Sequence, residues 1–211
     1  MSVFKPARPG NPTHDDDQCD QLYAQAQHKE DFIAQVEGLV ARFDRLDGVV
    51  NRVGLLHDDA QQPEKAVARI ASNALMRSME INLLPTLLLA KHTRRIIRKS
   101  SNWLFAAVSA KVGSIEDNRL GGWYAYRASK AAFSMALKTL AIEWQRALPD
   151  CTVAALHPGT FDSPLSRPFA GKKNNLLSAV ESANHLKTIL DKLSPGQSGR
   201  FWAWNGEELP W

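Results

Sequence analysis

The sequence is short of cysteine: Cys19 and Cys151 are its only two, far apart and in no metal-ligand spacing. That excludes a small disulfide-stapled scaffold and a cysteine-based zinc site, and it predicts reduced thiols. Long apolar runs are lacking too. The longest, residues 83–90, is interrupted by Pro85 and Thr86 and falls well below the roughly 18 residues of a membrane-spanning helix. Residues 1–10 hold no apolar stretch resembling a secretory signal, so the expected location is cytoplasmic, with no membrane partner. Charge of one sign is scarce as well, the formal net charge being only +4. The dense basic run Lys91-His92-Thr93-Arg94-Arg95-Ile96-Ile97-Arg98-Lys99 follows a helical pattern, where cations complement the dipole of a helix end. It predicts a solvated terminus rather than a nucleic-acid patch. His14 beside Asp15, Asp16 and Asp17 has no second cluster to complete a site, and no metal is expected. Between Gly10 and Gly38 glycine is missing altogether, so the early chain shows no strand, Gly-rich turn and helix of the kind that cradles a diphosphate.

What is present fits one compact core, since 44% hydrophobic and 23% charged residues are ordinary for a globular chain of 211 residues. Residues 1–28, broken by Pro6, Pro9, Gly10 and Pro12, read as an irregular segment ahead of a single domain over 29–211. Phe32, Ile33, Val36, Leu39, Val40 and Phe43 recur at spacings of three and four and predict an amphipathic helix over 29–43. Leu46-Asp47-Gly48-Val49-Val50 predicts a short buried strand with a turn through Gly54 after it. Helical periodicity over 63–80 continues through 81–97 as one long helix despite Pro85. Further strands are expected at 102–108, 152–156 and 199–204, and further helices at 126–148 and 176–193. Strands alternating with helices imply parallel strands joined by right-handed crossovers, hence a layered α/β fold. Ligands bind such sheets beyond the carboxyl ends of the strands, which is where Asn51, Ser109 and Pro158-Gly159 fall.

The stretch that carries chemistry is Tyr126-Arg127-Ala128-Ser129-Lys130. Tyr126 and Lys130, four apart, share one helical face. A phenol titrates near pH 10 and does little proton transfer at neutral pH unless a neighbouring cation stabilises its anion, which Lys130 is placed to do. With Gly113-Ser114-Ile115 and Gly121-Gly122-Trp123-Tyr124-Ala125 ahead of it, the segment resembles the short-chain dehydrogenase/reductase family. The resemblance is to its C-factor and sniffer-like carbonyl reductase branch and covers roughly residues 30–211. Asn51-x-x-Gly54 is similar to the family's Asn-Asn-Ala-Gly turn, with Arg52 and Val53 as departures. Asn82 matches the helical asparagine of the proton relay, Pro158-Gly159-Thr160 the turn near the nicotinamide amide, and residues 201–211 the branch's ending.

The resemblance implies a Rossmann-like parallel sheet with helices on both faces, and hydride transfer between NAD or NADP and a small carbonyl or alcohol. Tyr126 would be the acid or base, Lys130 would lower its pKa and hold the nicotinamide ribose, and Asn82 would lead to solvent through water. Asn51, Gly54, Pro158, Gly159 and Thr160 would join Tyr126 and Lys130 around the cofactor. The helices bearing Asn82 and Tyr126 would pair subunits in a homodimer or homotetramer, with Phe133 and Trp144 either at that face or in the core. Trp123 and Phe169, in loops 121–124 and 161–170, would face an apolar substrate.

Two departures qualify that expectation. Val108-Ser109-Ala110-Lys111-Val112-Gly113 puts Ala110 where the family carries its substrate-orienting serine, leaving Ser109 and Ser114 as substitutes. The missing Gly-rich element predicts an N-terminally truncated sheet without its pyrophosphate cradle, weakened or lost cofactor binding, and an open edge at residues 46–50. That edge is to be covered by the N-terminal stretch or a partner, unless the sheet is simply smaller. The alternative to an active enzyme is a non-catalytic or truncated member acting through protein contacts.

Overall fold

Four short apolar runs form the parallel centre of the sheet in the computed structural model, which describes residues 2–4, 34, 38, 47–95, 97, 102–169 and 176–211. These strands are β2 (Gly48–Asn51), β3 (Trp103–Val108), β4 (Cys151–His157) and β5 (Arg200–Ala203), adjacent in that order. The register sets Val50 opposite Ala106, Ala106 opposite Ala154, and Ala154 opposite Arg200. Ala106 and Ala154 hold the middle of this row, both fully buried.

Both edges are antiparallel, so the sheet is mixed rather than wholly parallel. β1 (Ser2–Phe4) pairs with β2, setting Val3 opposite Val49, and β6 (Glu208–Leu209) folds back on β5. Ser2–Phe4 is thus a strand where the composition predicted an irregular segment, and it covers the edge of β2 that was expected to stand open. Propensity around Pro6 and Pro9 carried no strand signal; pairing to a buried neighbour decides the conformation. The helix expected over 29–43 lies outside the described residues except for Ala34 and Gly38, which are helical.

Alternate residues of a strand face opposite sides, and two cores result. On one face Val49, Phe105, Val153 and Phe201 pack under α2 (Leu84–Thr93) through Leu89, and under α3 (Tyr124–Ala147) through Phe133, Leu137 and Trp144. On the other, Val50, Ala106 and Leu156 meet Ile189 and Leu186 of α4 (Ala179–Leu190). Helices therefore lie on both faces, as the α/β reading requires. Phe133 and Trp144, candidates for a subunit face, are core residues at 0% and 1% exposure. A period-3.6 stripe looks the same in sequence whether a sheet or a second subunit covers it.

The long helix expected over 63–97 is instead an irregular stretch to residue 71 followed by two helices, α1 (Ser72–Asn82) and α2, separated at Leu83. Pro85 sits in the first turn of α2, where its missing N–H has no intrahelical partner to lose. Ser178 and Glu181 form a capping box that fixes the start of α4. Among the described residues no helix is long and apolar enough to cross a membrane.

Phe105 is fully buried, stacked with Trp103 at 6.3 Å and edge-on to Trp144 at 5.5 Å. Phe105→Ala should lower unfolding stability in urea titration by about 3–5 kcal/mol. Val180→Ala, at a position 69% exposed on α4, should stay within about 0.5 kcal/mol of the parent.

Candidate active site

Helix α3 delivers the two residues that matter most from its first two turns. Tyr126 and Lys130 are 7% and 3% exposed, and the Lys130 ammonium lies 5.9 Å from the Tyr126 ring centroid and 4.9 Å from that of Phe133. Lys130 Nζ donates a long hydrogen bond of 3.4 Å to the Val108 carbonyl at the end of β3. Gly113 lets the chain pass: a Cβ there would come within 2.8 Å of the Lys130 backbone and side chain.

Asn82, at the end of α1, ties the neighbourhood together. Its side-chain oxygen accepts from Leu55 N–H at 2.6 Å, and its amide donates to the Leu55 carbonyl at 3.0 Å and to Ser129 Oγ at 2.9 Å. Ser129 Oγ in turn donates to the Tyr126 carbonyl at 2.8 Å. The loop after β2, helix α1 and the first turns of α3 are thereby held by one amide. Gly54 sits in the same place, where a Cβ would lie 3.3 Å from Lys130 Nζ and 3.7 Å from Asn82 Oδ1.

Of the two candidate serines, Ser114 is engaged and Ser109 is not. Ser114 Oγ donates to the Trp211 carbonyl at 3.1 Å and accepts from Asp117 N–H at 3.1 Å, closing a turn. Ser109, next to Val108 at the carboxyl end of β3, is 3% exposed, and its hydroxyl has no partner among the described residues. Asn51 is also spoken for: its amide donates to Thr86 Oγ1 at 2.6 Å and its oxygen accepts from Val53 N–H at 3.1 Å, which shapes the turn leading to Gly54. Pro158, Gly159 and Thr160 follow β4 at the same edge, since Ser109 N–H bonds the Leu156 carbonyl. Ser182 of α4 donates to the Pro158 carbonyl at 2.7 Å, and Gly159 has φ +75° with Trp204 where a Cβ would point, 2.8 Å away.

Trp123, left-handed at φ 54°, lies 6.3 Å from the Tyr126 ring and 5.0 Å from Phe169, and Phe169 lies 5.2 Å from His57. His57 Nε2 and the Leu165 carbonyl are 3.1 Å apart. Loops 52–58 and 161–169 thus close an aromatic wall beside the phenol. Sequence reasoning passed over Ser129, Thr86 and His57. Ser129 lies inside the motif it quoted, and a small polar residue on the buried face of a helix was the available signal.

Burial controls the electrostatics. It pushes the Tyr126 phenol up to about 12 and pulls the Lys130 ammonium down to about 8. Desolvation is the cause in both cases, since it disfavours the phenolate and the ammonium alike. The residues fit the nicotinamide-ribose end of a dinucleotide. A buried ammonium with three donors and one long bond, an orphaned hydroxyl at Ser109 and a glycine at 54, with no Cβ to crowd that ammonium, all invite hydroxyl and carbonyl oxygens.

A family model described as enoyl-(acyl carrier protein) reductase matches residues 12–197. The chain belongs to the short-chain dehydrogenase/reductase family. Among relatives of this oxidoreductase family, 1-hydroxy-2-glutathionyl-2-methyl-3-butene dehydrogenase of Rhodococcus sp. (strain AD45) is 31% identical over 83% of this chain and 75% of its own. The C-signal protein of Myxococcus xanthus is 33% identical over 65% of this chain and 78% of its own. The fold is that of the carbonyl reductase Sniffer of D. melanogaster, with a TM-score of 0.73 at 22% identity over 86% of this chain and 74% of that one. It is likewise that of an NADPH-bound carbonyl reductase from chicken fatty liver, with a TM-score of 0.74 at 20% identity over 89% and 75%.

Burying Lys130 costs stability, and the sign follows from the shift. With the folded value near 8 and the free value near 10.5, the folded chain binds fewer protons between these pH values, so wild-type stability rises as pH climbs through that window. Lys130→Met should therefore unfold at higher urea than wild type at pH 7, by roughly 2–4 kcal/mol. The gap should narrow steadily between pH 8 and 10.5, and an unchanged gap would contradict desolvation as its source.

Proposed function

We propose that the chain is an NAD(P)(H)-dependent oxidoreductase that interconverts a small apolar carbonyl compound and its alcohol, with Tyr126 as acid in reduction and base in oxidation. The observation that carries this reading is the buried Tyr126 and Lys130 pair at the carboxyl edge of the sheet, with the unpartnered Ser109 following the Val108 whose carbonyl Lys130 reaches. A bound nicotinamide cofactor supplies the hydride, which no side chain can. Tyr126 donates its proton to the carbonyl oxygen as the alkoxide develops, and a phenol held near 12 remains protonated across the whole neutral range. Ser109 donates a hydrogen bond to the same oxygen and fixes its direction. Lys130 binds ribose hydroxyls over Gly54, while Asn51, Pro158, Gly159 and Thr160 shape the turns around the nicotinamide. Asn82 keeps Tyr126 and the Gly54 loop in register and is the group through which solvent protons return.

The wall of Trp123, Phe169 and His57 favours a planar or apolar substituent on the substrate. Helices α1 and α3 also expose Met76 and Met135, 66% and 67% accessible, and Ile142 at 46%; we take this face as the one that pairs subunits in a homodimer or homotetramer. A cytoplasmic location suits such an enzyme.

Purified protein should oxidise NADH or NADPH in the presence of members of a small aromatic and aliphatic carbonyl panel. Tyr126→Phe should lower kcat by about 10²–10⁴-fold. Ser109→Ala should lower it by about 10²-fold, the usual loss of one donor to a developing oxyanion. Ser114→Ala, whose hydroxyl serves a turn, should stay within about 3-fold. Saturable cofactor binding without Tyr126-dependent turnover would reject the assignment.

A further inference from the structure

The N-terminus of α3 lacks a side-chain cap: the residue before it is Trp123, and Gly121, Gly122 and Trp123 enter with φ of 63°, 67° and 54°. The first N–H groups of a helix have no internal partners and must find acceptors elsewhere. Here they find them 61 residues away in sequence, where Ala125 N–H donates to Glu64 Oε2 at 3.2 Å. Trp123 N–H donates to the Glu64 main-chain oxygen. Glu64 is 6% exposed, an unusual place for a carboxylate, and the positive end of a 24-residue helix is the environment that favours it.

The loop that presents Glu64 is itself anchored to α1. Asp58 accepts from Arg77 Nη1 at 3.0 Å and pairs with Nη2, and Gln61 Nε2 donates to the buried Ser78 Oγ at 2.7 Å. One turn further along α1, Asn82 reaches Ser129. Helix α1 therefore grips α3 at two points, through Glu64 ahead of Tyr126 and through Asn82 after it. The phenol sits between the two grips, on the turn whose leading amides Glu64 holds.

We propose that Glu64 is a positioning residue for Tyr126, acting as a remote cap that locks the first turn of α3 and so fixes where the phenol meets the substrate oxygen. The inference rests on the proposed reductase function for its kinetic consequence, but the cap itself does not. A cap of this kind needs an acceptor oxygen of the right reach more than it needs a full charge.

Hydrogen exchange of ligand-free protein tests the cap without any turnover. In Glu64→Ala, amides of residues 123–128 should exchange about tenfold faster while those of residues 133–145 keep the wild-type rate, and Glu64→Gln, which retains an oxygen at that reach, should protect residues 123–128 almost as wild type does. Unchanged exchange in Glu64→Ala, or faster exchange along the whole helix, would overturn the proposal. Should Glu64→Ala fail to fold, Glu64→Asp, one methylene too short, must show the same local acceleration or the proposal falls. With an accepted carbonyl substrate, Glu64→Ala should lower kcat about tenfold with KM within twofold, and Glu64→Gln should recover most of it. A KM effect alone, or no recovery, counts against positioning. If wild type turns over nothing while the exchange pattern appears, the reductase reading has failed and the cap stands.

Discussion

One amide, that of Asn82, is the fixed point around which this edge of the molecule is arranged. Buried at 1% exposure, it must spend its hydrogen bonds inside the protein, because an unpaired amide there would cost about 1–3 kcal/mol. It does so by bracketing Leu55 on both backbone groups and by holding Ser129. Those bonds set three otherwise independent pieces: the turn that follows β2, the end of α1, and the second turn of α3. Gly54 and Lys130 come together only because both pieces converge on Asn82. Replacing the amide by an apolar isostere would leave Leu55 N–H and its carbonyl without partners, so the interaction is worth more as a constraint than as a single bond.

The sequence made the layered α/β arrangement legible because short apolar runs, at Val49-Val50, at 103–108 and at 152–156, alternate with stretches of helical period, each run being short enough to be a strand. Those signals are local. What escaped reading depends on contacts distant in sequence. Ser2–Phe4 is a strand only because β2 offers it an edge, and Glu208–Leu209 is too short to show a period. Phe133 and Trp144 were apolar positions whose burial partner the sequence did not name; the sheet is that partner. The break at Leu83 was announced by Pro85, but a proline two positions into a helix and one that kinks it look the same in sequence until the carbonyls are placed.

The candidate site divides along the same line. Spacing singled out Tyr126 and Lys130, and the family resemblance added Asn82, Ser109 and Ser114 as candidates, yet two hydroxyls in one loop were equivalent in sequence. Their surroundings separate them: Ser114 spends its hydroxyl on Trp211 and Asp117, from opposite directions in the chain, while Ser109 spends none. Asn51, set among the cofactor contacts by its motif, turns its side chain toward Thr86 and Val53, so any role it has beside a ligand passes through its backbone or the turn it shapes.

Charge is where sequence and structure part most sharply. Spacing alone says that a lysine beside a tyrosine lowers the phenol, since opposite charges attract. Burial acts in the opposite direction, because Tyr126 and Lys130 each leave water, and desolvation penalises the phenolate and the ammonium separately. The phenol is then held as a donor up to about 12 and the amine sheds its proton nearer pH 8, so two values that lie close together in the free groups move apart. A ligand that raises the Lys130 value again must supply acceptor oxygens to its ammonium, beside Gly54 where no Cβ intervenes. Lysine charge and ligand occupancy are therefore one coupled equilibrium: an oxygen-rich ligand at that position recovers part of the cost of burying the ammonium, and in the empty pair the ammonium gives up its proton nearer pH 8.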